Sequence, residues 1–166
     1  MSRDPQDVFS RRLDAHRGIM LKVAATYARN AHDRDDLAQE IATQLWRAWP
    51  GYDPQRNFST WMYRIALNTA IDFVRGNARR IRHSIPLDEA EHDAPSTQPD
   101  HEAQASLRML HRFIDTLEPL NRALLLLYLE ERSTREMAEV LGISESNVTT
   151  KVSRLKQRIR DHVATD

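Results

Sequence analysis

Asn68, Asp72, Arg75 and Arg79 recur at spacings of four, three and four, which on a helix makes one continuous polar ridge. The residue types suit nucleic acid. Asparagine both donates and accepts, so it can read a base edge, whereas arginine mainly holds a phosphate or a guanine. Asp72 can instead pair with Arg75 or Arg79 across the helix surface and orient them. A second group, Ser146, Asn147, Thr149, Thr150, Lys151 and Arg154, is crowded into consecutive turns near the C-terminus. Lys156, Arg158 and Arg160 lie further along, where phosphate contact or simple solvation suits them better than base contact. A third spot is acidic: Asp36 and Glu40 stand i,i+4 on one side of a predicted helix with apolar neighbours, and a solvated face explains them as well as a partner does.

Other chemistries find little material. The seven histidines are scattered; His16 falls on an apolar stripe, where a hydrogen-bonded core histidine is the default, and the rest show no metal-ligand spacing. No cysteine is present, which removes disulfides, thiolate metal sites and cysteine nucleophiles. No glycine-rich phosphate loop occurs. The composition thus implies no catalysis, cofactor or metal. The longest apolar run, Ala123 to Leu129, is far short of the roughly 20 residues of a membrane span. With no signal-peptide pattern at the N-terminus, a cytoplasmic location is expected.

The elements that would carry these groups are all helical. Only 4 glycines and 7 prolines interrupt 166 residues, and β-branched alternation is nearly absent. Phe9, Leu13, His16, Met20, Ala24 and Tyr27 predict a single first helix. Asp33 with Asp36 would cap a second, burying Leu37, Ile41, Leu45 and Ala48, with Trp46 and Trp49 alongside. After a loop opened by Pro50, Ser59 or Thr60 would cap a third helix through Trp61, Ile65, Ala66, Thr69 and Phe73, weakening near Asn77. Trp61 reads as core. Further on, Leu107, Leu110, Ile114 and Leu117 line a helix, and a second starts at Pro119, a favoured first-turn position. Ser133 and Glu136 have the form of a capping box, Gly142 supplies a turn, and Ser144 can cap a last helix burying Val148, Val152, Leu155, Ile159 and Val163. Two helices joined by a glycine turn, the second long and basic, describe a helix-turn-helix whose second member would enter the DNA major groove, although such hairpins also occur in proteins that bind no DNA and a basic helix is often a solvated face.

Charge divides the chain. The total is neutral, with 24 basic and 24 acidic residues, yet Arg56 to Arg82 holds six Arg against the single Asp72, and Lys151 to Arg160 holds five cations and no acid. Between Ser84 and Ala105 lie six acids and no Lys or Arg. The segment 84–104, with three of the seven prolines, reads as a flexible acidic linker between a helical domain over 5–83 and another over 105–163.

Asp36, Leu37, Gln39 and Glu40, followed by Leu45, Trp46 and Trp49, resemble the extracytoplasmic-function group of the sigma-70 family of bacterial RNA polymerase sigma factors. The likeness continues through Phe58 to Asn68, Asp72, Arg75 and the Arg79–Arg80 pair, then resumes at Leu117, Glu118, Pro119 and Arg122 and through Met137 to Ser144 and Val148. It implies an all-α protein of two small domains, sigma domain 2 and sigma domain 4. It also implies that RNA polymerase core, promoter DNA and an anti-sigma factor are partners, without membrane insertion. On this resemblance, Asp36, Leu37, Gln39 and Glu40 contact the clamp coiled coil of the largest catalytic subunit, and the flap region is a further polymerase contact. Tyr52, Arg56, Asn57, Phe58, Asn68, Asp72, Arg75, Arg79 and Arg80 serve the −10 element, with the loop from Tyr52 to Asn57 receiving a base turned out of the stack. Arg122, Ser146, Asn147, Thr149, Thr150, Lys151 and Arg154 serve the −35 element. Thr149 departs from the family, in which that position is commonly basic. The rival expectations are an operator-binding regulator whose N-terminal unit senses a ligand or dimerises, and an interaction module that sequesters another regulator.

Overall fold

The computed structural model describes residues 4–83 and 101–165, with side chains left undescribed for 77–83. All regular structure among these residues is helical, in two compact units. The first contains α1 (Pro5–Ala15), α2 (Arg17–Tyr27), α3 (Ala31–Ala48) and α4 (Phe58–His83). The second is supplied by α5 (His101–Thr116), α6 (Pro119–Leu129), α7 (Thr134–Leu141) and α8 (Glu145–Thr165).

In the first unit α2, α3 and α4 pack pairwise around one core. Val23, Leu37, Ile41, Leu45, Met62, Tyr63 and Leu67 are almost wholly removed from water. Each such aliphatic side chain contributes roughly 1.5–3 kcal/mol through burial, which sets the phase of all three helices. Phe9 adds α1 to the assembly through ring contacts with Trp46 at 5.2 Å and Trp49 at 5.4 Å.

The expected first helix is divided at His16, which leaves helical geometry at φ −115°. Its Nδ1 lies 2.9 Å from the Arg12 carbonyl and its ring 4.7 Å from Phe58, so the break is held by a tertiary contact. The cap of α3 is Asn30, whose Oδ1 accepts from the Asp33 amide at 2.7 Å, rather than Asp33 or Asp36. Neither Ser59 nor Thr60 caps α4. Asn57 Oδ1 accepts from both of their amides, at 2.9 and 3.3 Å, and from Ser59 Oγ at 2.7 Å. The helix then runs unbroken to His83, past the expected fading near Asn77.

In the second unit α5 starts at His101, so its first turn lies inside the segment read as linker. Phe113, Ile114 and Leu117 are buried, but Leu107 and Leu110 are exposed, as is Val163 at the end of α8. Most of the apolar circumference of α6 is covered: Ala123, Leu124, Leu125 and Leu127 are buried. α6 ends on Glu131 at φ 57°, with the Arg132 amide donating back to the Leu127 carbonyl at 3.0 Å. Ser133 Oγ accepts from the Glu136 amide at 3.1 Å, as the capping box requires. The Glu136 carboxylate, however, is directed at Arg132, 3.5 Å away.

Gly142, at φ 67° and ψ 32°, ends α7 in the left-handed region, and its amide and that of Ile143 both donate to the Ala138 carbonyl. Ser144 Oγ accepts from the Asn147 amide at 3.0 Å and opens α8. α8 buries Val148 and Leu155 and packs on α6, leaving its N-terminal polar residues on the surface.

Candidate nucleic-acid interface

The ridge on α4 is determined by the core on its other side. With Met62, Tyr63, Ala66, Leu67, Ala70 and Ile71 buried, the helical period leaves Arg64, Asn68, Asp72 and Arg75 exposed in a row. Arg79 and Arg80 belong to the same helix, but their side chains lie outside the described residues. Asn68 and Asp72 line a groove of about 530 Å³ between α3 and α4, together with Glu40, Gln44, Ala48, Ile65, Thr69 and Phe73. Glu40, which the resemblance assigns to a protein contact, thus shares a groove with Asn68 and Asp72, which it assigns to DNA. Gln44, which donates to Glu40 at 2.9 Å, was not singled out, because nothing in its local spacing marks it.

On α3, Asp36, Gln39 and Glu40 are exposed on one face. His32 Nε2 stands 3.4 Å from Asp36 Oδ2. Leu37 requires a correction. It is completely buried in the core, so it sets the orientation of α3 and cannot itself be a contact surface. Trp46, by contrast, is 44% exposed and forms part of an apolar recess of about 750 Å³ with Pro5, Val8, Trp49, Pro50 and Pro54.

The loop between α3 and α4 is held by aromatic packing. Tyr52 stacks on Trp49, with ring centroids 5.2 Å apart and planes 14° from parallel, and lies 4.9 Å from Trp61. Its hydroxyl donates to the Arg56 carbonyl at 2.8 Å and accepts from Arg12 Nη1 at 3.2 Å. The Arg12 guanidinium lies over both Tyr52 and Phe58. Phe58 is buried, which corrects its placement among the DNA contacts: it is part of the support under the loop. Trp61, expected as core, is only half-buried in the same cluster. Asn57 is occupied as the α4 cap through its Oδ1, while Arg56 is exposed.

On α8, Ser146, Asn147, Thr149, Thr150 and Arg154 are exposed and Lys151 half-buried. The Thr149 hydroxyl donates to the Glu145 carbonyl at 3.0 Å and that of Thr150 to the Ser146 carbonyl at 3.1 Å. With the hydrogens so engaged, what these threonines offer outward is an acceptor oxygen and a methyl group. Arg122 is half-buried and has a structural part to play. Its Nε donates to the Leu117 carbonyl at 3.1 Å and its Nη2 to the Asp115 carbonyl at 3.3 Å, tying α6 to the end of α5.

Comparisons with known proteins fall on both units. Residues 13–80 match the family model for sigma-70 region 2, and residues 107–159 match that for sigma-70 region 4. The ECF RNA polymerase sigma factor SigE of Mycolicibacterium smegmatis is 29% identical over 153 residues, which cover 90% of this chain and 59% of that protein. SigW, an ECF RNA polymerase sigma factor of Bacillus subtilis, is 24% identical over 173 residues, covering 96% of this chain and 91% of its own. Among solved structures, the sigma factor RpoE in complex with the anti-sigma factor NepR from Bartonella quintana has the same fold. It superposes with a TM-score of 0.73 at 18% identity, over 95% of this chain and 98% of that one. Two sigma models in order, one for each helical unit, leave an operator-binding regulator with a sensing domain unfavoured. This chain belongs to the extracytoplasmic-function group of the sigma-70 family and is an alternative sigma factor for transcription initiation.

Proposed function

We propose that this sigma factor docks on RNA polymerase core through the exposed α3 face of Asp36, Gln39 and Glu40, with Leu37 acting from beneath. The α4 ridge then reads the −10 element, and α8 reads the −35 element. The observation that carries this reading is the separation of two exposed polar helical surfaces onto two units, each matched by its own sigma region. Asn68 is the natural base reader on α4, because its neighbours there are charged and suited to the backbone. On α8, Thr149 and Thr150 present acceptor oxygens and methyls, which favour an exocyclic amino group or a thymine methyl over the guanine acceptors that arginine prefers.

The loop from Tyr52 to Asn57 acts in this reading as a pre-shaped edge. Tyr52 and Phe58 hold it from below, leaving Arg56 to meet the strand. Nucleotide addition belongs to the polymerase, so the chain itself is not an enzyme, and its work is positioning and strand capture in the cytoplasm. Among the described residues no helix is long and apolar enough to cross a membrane. An anti-sigma factor is a further proposed partner, supported by the complex in which the similar RpoE fold was solved.

Reconstitution with RNA polymerase core on a promoter library, reading transcription start sites, tests the proposal. Start sites sharing two upstream elements are expected. Specific duplex binding by the chain alone, with no promoter-dependent initiation, would instead establish an operator-binding regulator.

A further inference from the structure

Three cations on α8, Lys151, Arg154 and Arg158, line a small groove with Leu155 of the same helix and Asn121 of α6. They fall at i, i+3 and i+7, so they share the face of α8 turned to α6. The other two cations of that helix are engaged elsewhere. Lys156 Nζ lies 5.0 Å from the centre of the Tyr128 ring, and Arg160 Nη2 donates to Gln157 Oε1 at 3.2 Å. The nearest acid along the helix is also engaged: Gln157 Nε2 donates to Asp161 Oδ1 at 2.9 Å. Leu155 is buried and forms a fixed apolar floor under the cationic stems. The sequence alone leaves Lys156, Arg158 and Arg160 equivalent; the packing singles out Arg158.

We infer that this groove is a seat for one phosphate of the DNA backbone, with Arg158 and Asn121 closing it around a phosphate that Lys151 and Arg154 also face. The inference rests on the proposed placement of α8 on the −35 duplex. Size selects the ligand: at about 150 Å³ the groove is small beside the roughly 300–1,000 Å³ of pockets that enclose a small-molecule effector. Position along the helix favours backbone contact over base reading at Arg158. A helix rises 1.5 Å per residue, so Arg158 stands about 20 Å from the start of α8, whereas the major groove is about 8.5 Å deep. A helix entering by its N-terminus has left the base edges by that point, and the sugar-phosphate wall is what remains in reach. Asn121 supplies a neutral amide donor on the opposite side, which fixes where the phosphate sits without adding charge.

The test uses polymerase core reconstituted with the full chain and duplex promoter probes, with affinity measured against salt. Arg158→Gln is expected to weaken binding several-fold on probes with matched and altered −35 bases alike. It should also flatten the slope of log K against log salt by about one unit, the signature of one lost phosphate contact. Asn121→Ala should weaken binding equally across probes and leave the slope almost unchanged. Arg158→Lys should restore the slope. Unaltered affinity and slope in Arg158→Gln, with −35-dependent binding intact in the wild type, would overturn the phosphate seat alone. A changed ranking of −35 bases would overturn it in favour of base readout. Stabilisation of the wild type but not of Arg158→Gln by inorganic phosphate, without any effect on DNA affinity, would show an anion site unrelated to promoter binding and overturn it too. Wild-type binding that ignores the −35 sequence would bring down the parent reading, and the seat with it.

Discussion

Leu37 and Glu40 stand less than one helical turn apart on α3 and have opposite surroundings, one completely buried and the other exposed. Their substitutions should therefore separate cleanly. Leu37→Ala removes packed methyl groups from the centre of the first unit and should lower its stability by about 2–5 kcal/mol in chemical denaturation. Glu40→Gln should leave the denaturation midpoint almost unmoved and weaken binding to polymerase core in a pull-down or fluorescence titration. Unchanged core affinity in a folded Glu40→Gln protein would count against the α3 docking face. Asn68 is exposed and its side chain is not part of the core. Asn68→Ala should thus relax base preference at −10 in a promoter-library assay more than it weakens polymerase binding. An equal loss of polymerase affinity would refute the base-reading role. The two kinds of residue look alike in sequence, since the core leucine and the surface acid stand in one short string. Only the helical phase of the surrounding apolar residues tells which of them faces outward.

Element ends carry a different kind of information. Glu131 ends α6 at φ 57°, a region in which a side chain costs roughly 1–2 kcal/mol and glycine almost nothing. Glu131→Gly should stabilise the second unit by about 0.5–1 kcal/mol, the gain in the folded state being partly offset by the greater freedom of glycine when unfolded. A urea midpoint that rises without a change in slope is the expected record. At the start of α4, Asn57→Ala should cost about 1 kcal/mol by removing the cap from the Ser59 and Thr60 amides. If it reduced promoter opening with no change in stability, Asn57 would be a strand contact after all. The caps at Ser133 and Ser144 and the turn at Gly142 were legible in the sequence because their chemistry is local, a hydroxyl or a missing Cβ acting within a few residues. The break at His16 was not, because the apolar period runs on through it and its causes include a ring on α4. Nor could periodicity tell that Leu107 and Leu110 stay exposed while Phe113 and Leu117 are buried, since an apolar row does not state which neighbour covers it. The structural part of Arg122 was hidden for a similar reason. Nothing in a motif shows that its charged residue also bonds the Leu117 and Asp115 carbonyls.

The whole molecule has equal numbers of acids and bases, so net charge alone gives no reason for it to seek DNA. Its affinity must come from where the charges stand and from what carries them to the promoter. Two readers that are both held on one polymerase have their separation fixed by that enzyme, not by the chain that joins them. The promoter must match that separation, and it must match in helical phase, because B-DNA turns once in about 10–10.5 base pairs. Adding about five base pairs between the −35 and −10 elements rotates one recognition face to the far side of the duplex. Initiation measured by start-site transcription should then fall steeply, and with both readers held at one separation a full turn, which lengthens the spacing by about 34 Å, should recover little. A chain whose units reached DNA independently would behave otherwise. Its binding would tolerate any spacing that the joining segment could bridge, so half-turn and full-turn insertions within that reach would both cost little.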